Sequence, residues 1–173
     1  MKGLTLFEVL VALLIFSIIA MGLGYAVVAG KSALFASDIP TQLRGNVLFA
    51  IMQMSRELRQ AVPSATVPNA EESSNSVTFR VARYNETTGA IDLQPITYQC
   101  VGCSSIVPGQ LTRTSGGITS VIAPNIVTPS GLPIFSREDI DNDLIIIDIN
   151  AQKADGQGRL YQDTEQAIVK MRN

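Results

Sequence analysis

Residues 9–30 read VLVALLIFSIIAMGLGYAVVAG and carry no formal charge. As an α-helix this stretch would be about 33 Å long, enough to cross a bilayer hydrocarbon core about 30 Å thick. A cleavable secretory signal has a shorter apolar run of about 7–15 residues, followed by small residues such as those at 20–24. The length therefore predicts one membrane-spanning helix, with a cleaved signal as the alternative.

The charges that flank this stretch predict its orientation. Lys2, beside the initiator amine, is the only basic residue before it, and Lys31 follows it directly. A basic residue at the N-terminus of a first helix holds that end in the cytoplasm by the positive-inside rule. We therefore expect everything after Lys31 to lie outside the cytoplasm.

Composition narrows the classes of function. The 173 residues suffice for one domain plus an anchor, and 13 basic against 15 acidic residues give a formal charge of −2. This balance leaves no positive surplus for binding phosphates, so nucleic acid is not expected as a direct partner. Histidine is absent, which removes the commonest general base and excludes a Ser-His triad. We predict that the protein is not an enzyme and holds no cofactor.

Beyond Lys31 the apolar residues recur at spacings of three and four, which predicts an amphipathic helix that ends near residue 62, before Pro63. Gly22, Gly24, Gly30 and Pro40 predict bending or local melting near the membrane exit. The residues expected to form the buried face are Leu43, Val47, Ile51, Met54, Leu58 and Ala61.

From Val77 onward the apolar residues alternate with polar ones, which is the pattern of half-buried strands. Pro95 is expected at an edge or a bulge of the second strand. The fold class predicted is α+β, with one long helix packed on an antiparallel sheet. The expected strands cover 77–82, 91–101, 110–114, 118–122, 132–136, 144–150 and 165–171.

Glu8 is the residue that a simple anchor does not explain. A carboxylate at the centre of a bilayer costs about 2.5–3.5 kcal/mol, less near an end, and normally has a partner. Cleavage after Gly3 would create an amine on Leu4, four residues before Glu8 and on the same helical face. The amine of a neighbouring subunit is the other candidate partner.

Residues 2–10, KGLTLFEVL, resemble the processing motif of type IV prepilins and type II secretion pseudopilins. In that motif a glycine precedes a hydrophobic residue, and a glutamate follows at the fifth mature position. The resemblance implies that prepilin peptidase cuts between Gly3 and Leu4 and methylates the Leu4 amine, while Glu8 guides docking into a filament. It divides the chain into a leader (1–3), a transmembrane half-helix (4–30), an amphipathic half-helix (31–62) and a β-rich periplasmic domain (63–173).

The order of elements after the helix is similar to that of J-type minor pseudopilins and PilW-type minor pilins. This similarity implies a low-copy subunit of a tip or assembly-priming complex, held first in the bacterial inner membrane and then in a pilus or pseudopilus. The implied partners are other minor and major pilins or pseudopilins, prepilin peptidase and the inner-membrane assembly platform. A single-pass anchored domain that binds or adheres without entering a filament is the alternative.

Cys100 and Cys103 are separated by two residues, a spacing that suits a small disulfide loop, a redox motif or half of a zinc site. Zinc would need two further ligands, and a redox site would need a strand-to-helix context that the sequence does not predict. Outside the cytoplasm a disulfide is expected, with free thiols as the alternative.

An acidic run precedes the strand at residue 144. Asp139, Asp141 and Asp143 offer oxygen ligands for calcium. The EF-hand pattern would require glycine and glutamate where Leu144 and Asn150 stand. A solvated acidic turn is therefore the preferred interpretation, with calcium as the weaker one.

Overall fold

The computed structural model describes residues 6–63, 66, 68, 72–86, 89–129, 132–138 and 143–171, without the side chains of 32–37. The chain forms two compact units, Met1–Asp38 and Ile39–Asn173. Its elements are α1 (Leu6–Leu58), β1 (Ser73–Ser74), β2 (Ser76–Asn85), β3 (Ala90–Val101), β4 (Gly109–Ser115), β5 (Ile118–Val127), β6 (Phe135–Arg137), β7 (Leu144–Ala154) and β8 (Leu160–Lys170).

The first unit is the N-terminal part of α1. Its apolar side chains point outward on all sides, with Phe16 70% and Tyr25 78% exposed. A helix that is hydrophobic all round belongs in the core of a large protein or in a membrane. The segment Leu6–Lys31 is long and apolar enough to cross a membrane, as an anchor or as a signal sequence.

Of the bending or local melting predicted near the membrane exit, the local melting is wrong, because α1 is continuous from Leu6 to Leu58 and includes Pro40, while the bending stays a prediction. Proline removes one hydrogen-bond donor, and the flanking residues keep the helical geometry.

The end of the helix is also earlier than predicted. Ala61 forms a bridge with Val81, and the Val62 N–H donates to the Arg80 carbonyl at 3.0 Å. The chain thus leaves the helix to cover the edge of β2.

The second unit is an antiparallel sheet of eight strands that curls on itself. The strand order is β1-β6-β7-β5-β4-β3-β2, and β8 pairs with β7. Only Asn75 separates β1 from β2 along the chain, so the two ends of this strand order lie next to each other. The Asn75 carbonyl accepts the Cys100 N–H at 3.0 Å, and its side chain accepts the Ile134 N–H at 3.3 Å. Asn75 therefore joins both ends of the curled sheet.

β7 is the strand on which the topology is centred. β8 pairs with β7 over its whole length, from Leu144 opposite Lys170 to Ala154 opposite Leu160. β6 and β5 pair with successive parts of the other side of β7. Six of the seven predicted strands are present and longer than predicted. The strand predicted at 132–136 is shorter and shifted, since β6 covers only Phe135–Arg137, and β1 was not predicted at all.

Pro95 lies at an edge, as expected. It pairs with Arg80 of β2 on one side, while the pairing of β3 with β4 begins only at Ile96. The missing N–H of Pro95 therefore faces the side where β3 has no neighbour.

The core of the second unit lies between α1 and the inner face of the sheet. Leu43, Val47, Met54, Leu58 and Ala61 are buried as predicted, while Ile51 is only half-buried and Ala50 joins the buried set. The sheet contributes Val77, Phe79, Ile96, Tyr98, Leu111, Ala123, Ile126, Ile145, Ile147, Ile149 and Val169. The α+β class, a long helix with an antiparallel sheet, is confirmed.

Candidate functional site

The candidate site for membrane insertion and assembly is the first part of α1. Glu8 lies in the first turn of the described helix and is exposed. Carboxylates are favoured at this end of a helix because the first N–H groups carry a partial positive charge. The apolar surface that follows reaches Lys31. Gly3 and Leu4, the predicted processing residues, lie outside the described residues.

The two cysteines form a disulfide between Cys100 and Cys103, with their Cα atoms 5.8 Å apart. Cys100 is near the end of β3, and Cys103 lies in the connection to β4. A Cβ at Gly109 would collide with the Val101 carbonyl and the Cys103 nitrogen. Only glycine therefore lets the first residue of β4 pass under the disulfide loop.

The three aspartates named as weak candidates for calcium ligands are only partly described. Asp139 and Asp141 lie outside the described residues. The Asp143 carboxylate accepts a hydrogen bond from Arg137 Nη2 at 3.2 Å, and this ion pair is mostly buried. Among the described residues no group of three or more Asp, Glu, Cys or His side chains is placed to hold a metal ion. The Arg137 guanidinium already supplies the Asp143 carboxylate with a cation, so Asp143 is not solvated in the way that the acidic-turn interpretation expected.

A buried polar cluster connects α1 to the sheet, and the sequence did not predict it. Glu57 is 8% exposed. Arg113 Nη2 donates to Glu57 Oε1 at 2.8 Å, and Arg113 Nε donates to Oε2 at 3.0 Å. The Tyr98 hydroxyl donates to the same Oε2 at 2.8 Å. The carboxylate is thus held by three donors from two neighbouring strands, β3 and β4.

The cluster changes how its members titrate. Burial of the Tyr98 hydroxyl raises its pKa, and its hydrogen bond to the Glu57 carboxylate raises it further. The pKa of Arg113 is also raised, chiefly by its hydrogen bonds to Glu57. Both shifts keep Tyr98 neutral and Arg113 charged over the physiological range. The cluster acts as a fixed clamp between helix and sheet rather than as a proton donor.

A groove of about 880 Å³ runs beside the C-terminal part of α1, entirely within the second unit. We call it the α1–β8 groove. One wall is formed by α1 and the turn after it, and the other by the end of β8. Its apolar lining is Ile51, Met52 and Met171, and its basic lining is Arg56, Arg59 and Lys170. The sequence pattern alone placed Arg56 and Arg59 away from the core without indicating a groove.

Comparison of the chain with protein families, with curated proteins and with solved structures found no match.

Proposed function

We propose that this protein is a minor pilin or pseudopilin, a structural subunit of a type IV pilus or a type II secretion pseudopilus. Its place would be the tip or assembly-priming complex. The observation that carries the proposal is the arrangement on α1, where Glu8 lies in the first turn and an exposed apolar surface extends to Lys31. The KGLTLFEVL motif at residues 2–10, which resembles the processing site of prepilins, favours a pilin over another kind of anchored protein.

The physical argument starts from the cost of exposing such a helix to water. Each fully buried Leu, Ile, Val, Phe or Met side chain contributes about 1.5–3 kcal/mol relative to exposure. More than a dozen such side chains are exposed between Leu6 and Val28. A bilayer would bury these apolar side chains before assembly, and the helices of neighbouring subunits would bury them in a filament. The same surface therefore suits both stages of a pilin's life.

Glu8 distinguishes a filament subunit from an ordinary anchor. A carboxylate at this depth adds an insertion cost that an anchor does not need. In an assembly, the Glu8 carboxylate would be stabilised where it meets the amine of a neighbouring subunit. A misplaced subunit would leave this carboxylate without the amine, which is energetically unfavourable. We therefore assign Glu8 a role in docking, together with cleavage between Gly3 and Leu4 by prepilin peptidase.

The sheet unit would lie in the periplasm before assembly, anchored by one helix in the bacterial inner membrane. The Cys100–Cys103 disulfide supports this placement because disulfides persist in oxidising compartments. The partners proposed are other pilins or pseudopilins, the peptidase and the assembly platform. The proposal assigns the protein no catalytic step, no cofactor and no direct contact with nucleic acid.

The docking role can be tested by complementing a host strain that lacks the protein with the Glu8→Ala variant. The variant should reach the membrane at the wild-type level but be lost from sheared filaments or from crosslinked tip complexes. Ser17→Ala is the matched control, because Ser17 is an exposed polar residue of the same helix whose hydroxyl donates only to the Leu14 carbonyl at 2.8 Å. Assembly of Glu8→Ala at the wild-type level would reject the docking role.

A further inference from the structure

The α1–β8 groove has a surface pattern that α-helices recognise in one another. Ile51, Ser55 and Arg59 form one row of residues four apart, and Met52, Arg56 and Gln60 form a second row beside it. The Arg59 N–H still donates to the Ser55 carbonyl at 3.1 Å, so the helical geometry reaches Arg59. Two adjacent rows of this kind leave a channel between them that accepts a ridge of side chains from a second helix.

The channel is long enough for such a contact. Each row extends over eight helical steps, or about 12 Å along the helix axis, which is slightly more than two turns. The end of β8 forms the far wall with Lys170 and Met171. A partner helix would cross α1 at about −50° if its own four-residue ridges entered the channel.

The lining changes from apolar to basic along the channel. Ile51 and Met52 lie at the beginning, and Met52 is 70% exposed. Arg56 and Arg59 follow about one turn later, with Lys170 opposite them. Among the residues that the structure describes, none that lines the groove is acidic. The only nearby carboxylate on α1, Glu57, is buried and held by Arg113.

The three cations are not neutralised within the described part of the chain. They take no part in the ion pairs found among the described residues, which include Glu57–Arg113, Arg137–Asp143 and Asp155–Arg159. Arg56, Arg59 and Lys170 are all exposed, so they form a local positive patch on a chain whose formal charge is −2. Such a patch next to an apolar surface is complementary to a surface that carries acids and apolar side chains together.

We infer that the α1–β8 groove binds an α-helix of another polypeptide, with apolar side chains against Ile51 and Met52 and acidic side chains against Arg56, Arg59 and Lys170. The apolar half would supply contact area, and the basic half would set direction and register. This inference rests on the groove alone and does not require the chain to enter a filament.

The test uses the full-length protein in neutral detergent and a fluorescein-labelled, stapled helical peptide of about four turns. The peptide carries two leucines four residues apart and, one turn later on the same face, two glutamates four residues apart. A second peptide has lysines in place of the glutamates. Fluorescence anisotropy should show tighter binding of the glutamate peptide, by about tenfold or more, because each exposed charge pair contributes roughly threefold.

Two charge-reversal variants separate the groove from general electrostatics. Arg56→Glu with Arg59→Glu should weaken binding of the glutamate peptide by about tenfold or more. Arg80→Glu with Arg83→Glu changes the formal charge equally at two exposed arginines of β2 and should leave the affinity within about twofold. All four positions are exposed, so circular dichroism should report the wild-type fold for both variants.

A photocrosslinking residue at Met52 tests the position of the peptide directly, with the same residue at the exposed Ile91 as the control. Crosslinking from position 52 and not from position 91 is expected. The inference is overturned if both peptides bind equally, if the β2 pair weakens binding as much as the α1 pair, or if both positions crosslink equally. Displacement of the peptide by mixed micelles of the same detergent with anionic phospholipid, but not with neutral phospholipid, would overturn it in favour of a lipid surface.

Discussion

Replacing Arg113 with methionine should destabilise the second unit, because it leaves the buried Glu57 carboxylate without its cation. Arg113 makes two hydrogen bonds to Glu57, at 2.8 and 3.0 Å. Breaking a buried ion pair by removing one partner typically costs about 3–5 kcal/mol. The side chains of Arg113 and Glu57 are 17% and 11% exposed, so water offsets part of this cost. The Tyr98 hydroxyl also continues to donate a hydrogen bond to the Glu57 carboxylate, which stabilises its charge. We expect a loss of about 2–3 kcal/mol in the free energy of unfolding.

The same reasoning predicts that removing the whole cluster is less harmful than removing one member. Apolar side chains of similar volume often replace a buried ion pair with little loss of stability. The Tyr98 hydroxyl must be removed as well, because it would otherwise lose its buried acceptor. The triple variant Glu57→Met, Arg113→Met, Tyr98→Phe should therefore lie within about 1 kcal/mol of the wild type.

Urea unfolding in neutral detergent, followed by far-ultraviolet circular dichroism, measures both quantities. The slope of free energy against urea should be the same for all variants, which would show that equal surface is exposed on unfolding. A loss below about 1 kcal/mol for Arg113→Met would refute the claim that the pair is effectively buried. A triple variant as unstable as the single one would refute the claim that the uncompensated charge causes the loss.

Three further outcomes are expected. Because the folded state raises the pKa of Tyr98 above its usual value near 10, the stability that Tyr98 contributes should be fully present below pH 10 and be lost as pH rises above it. Tyr98→Phe should therefore flatten the fall in stability above pH 10, as measured by urea titrations at several pH values. Gly109→Ala should cost about 1–3 kcal/mol through collision with the disulfide loop, whereas Gly156→Ala, with nothing within 4 Å of its Cβ, should be nearly neutral in the same assay. Calcium should not raise the melting temperature, because Arg137 already pairs with Asp143; a shift that Asp143→Asn abolishes would contradict this.

The helical half of the fold could be predicted because its signal is local. Spacings of three and four identify Leu43, Val47 and Met54 directly as one face, and all three are buried. Ala50 is buried too, since it lies between those positions on the same face. The end of the helix could not be predicted, because it is set by the pairing of Ala61 with Val81.

The strands were predictable where apolar and polar residues alternate, as in β2 from Val77 to Val81 and in β7 from Ile147 to Gln152. β1 is only two residues long and forms through its pairing with β6, a partner more than sixty positions away. A two-residue segment is too short to contain a sequence pattern that predicts such a pairing. The same holds for the curling of the sheet, which depends on the bend at Asn75.

The polar features of the second unit were missed for a similar reason. Glu57 is a charged residue on the buried side of a helix, and its partner Arg113 is 56 positions away. Periodicity assigns charged residues to the surface, so it cannot distinguish a buried ion pair from an error in the pattern. The α1–β8 groove likewise exists only because β8 brings Lys170 beside Arg56 and Arg59.

The assignment as a filament subunit depends on processing of the N-terminus, which a mass measurement of the N-terminal peptide tests directly. The protein would be purified from membranes of its host, with and without prepilin peptidase, and its N-terminal peptide identified. A filament subunit should start at methylated Leu4 only when the peptidase is present. Retention of Met1 or Lys2 in both strains would contradict it and would leave a single-pass anchored domain in place of a filament subunit.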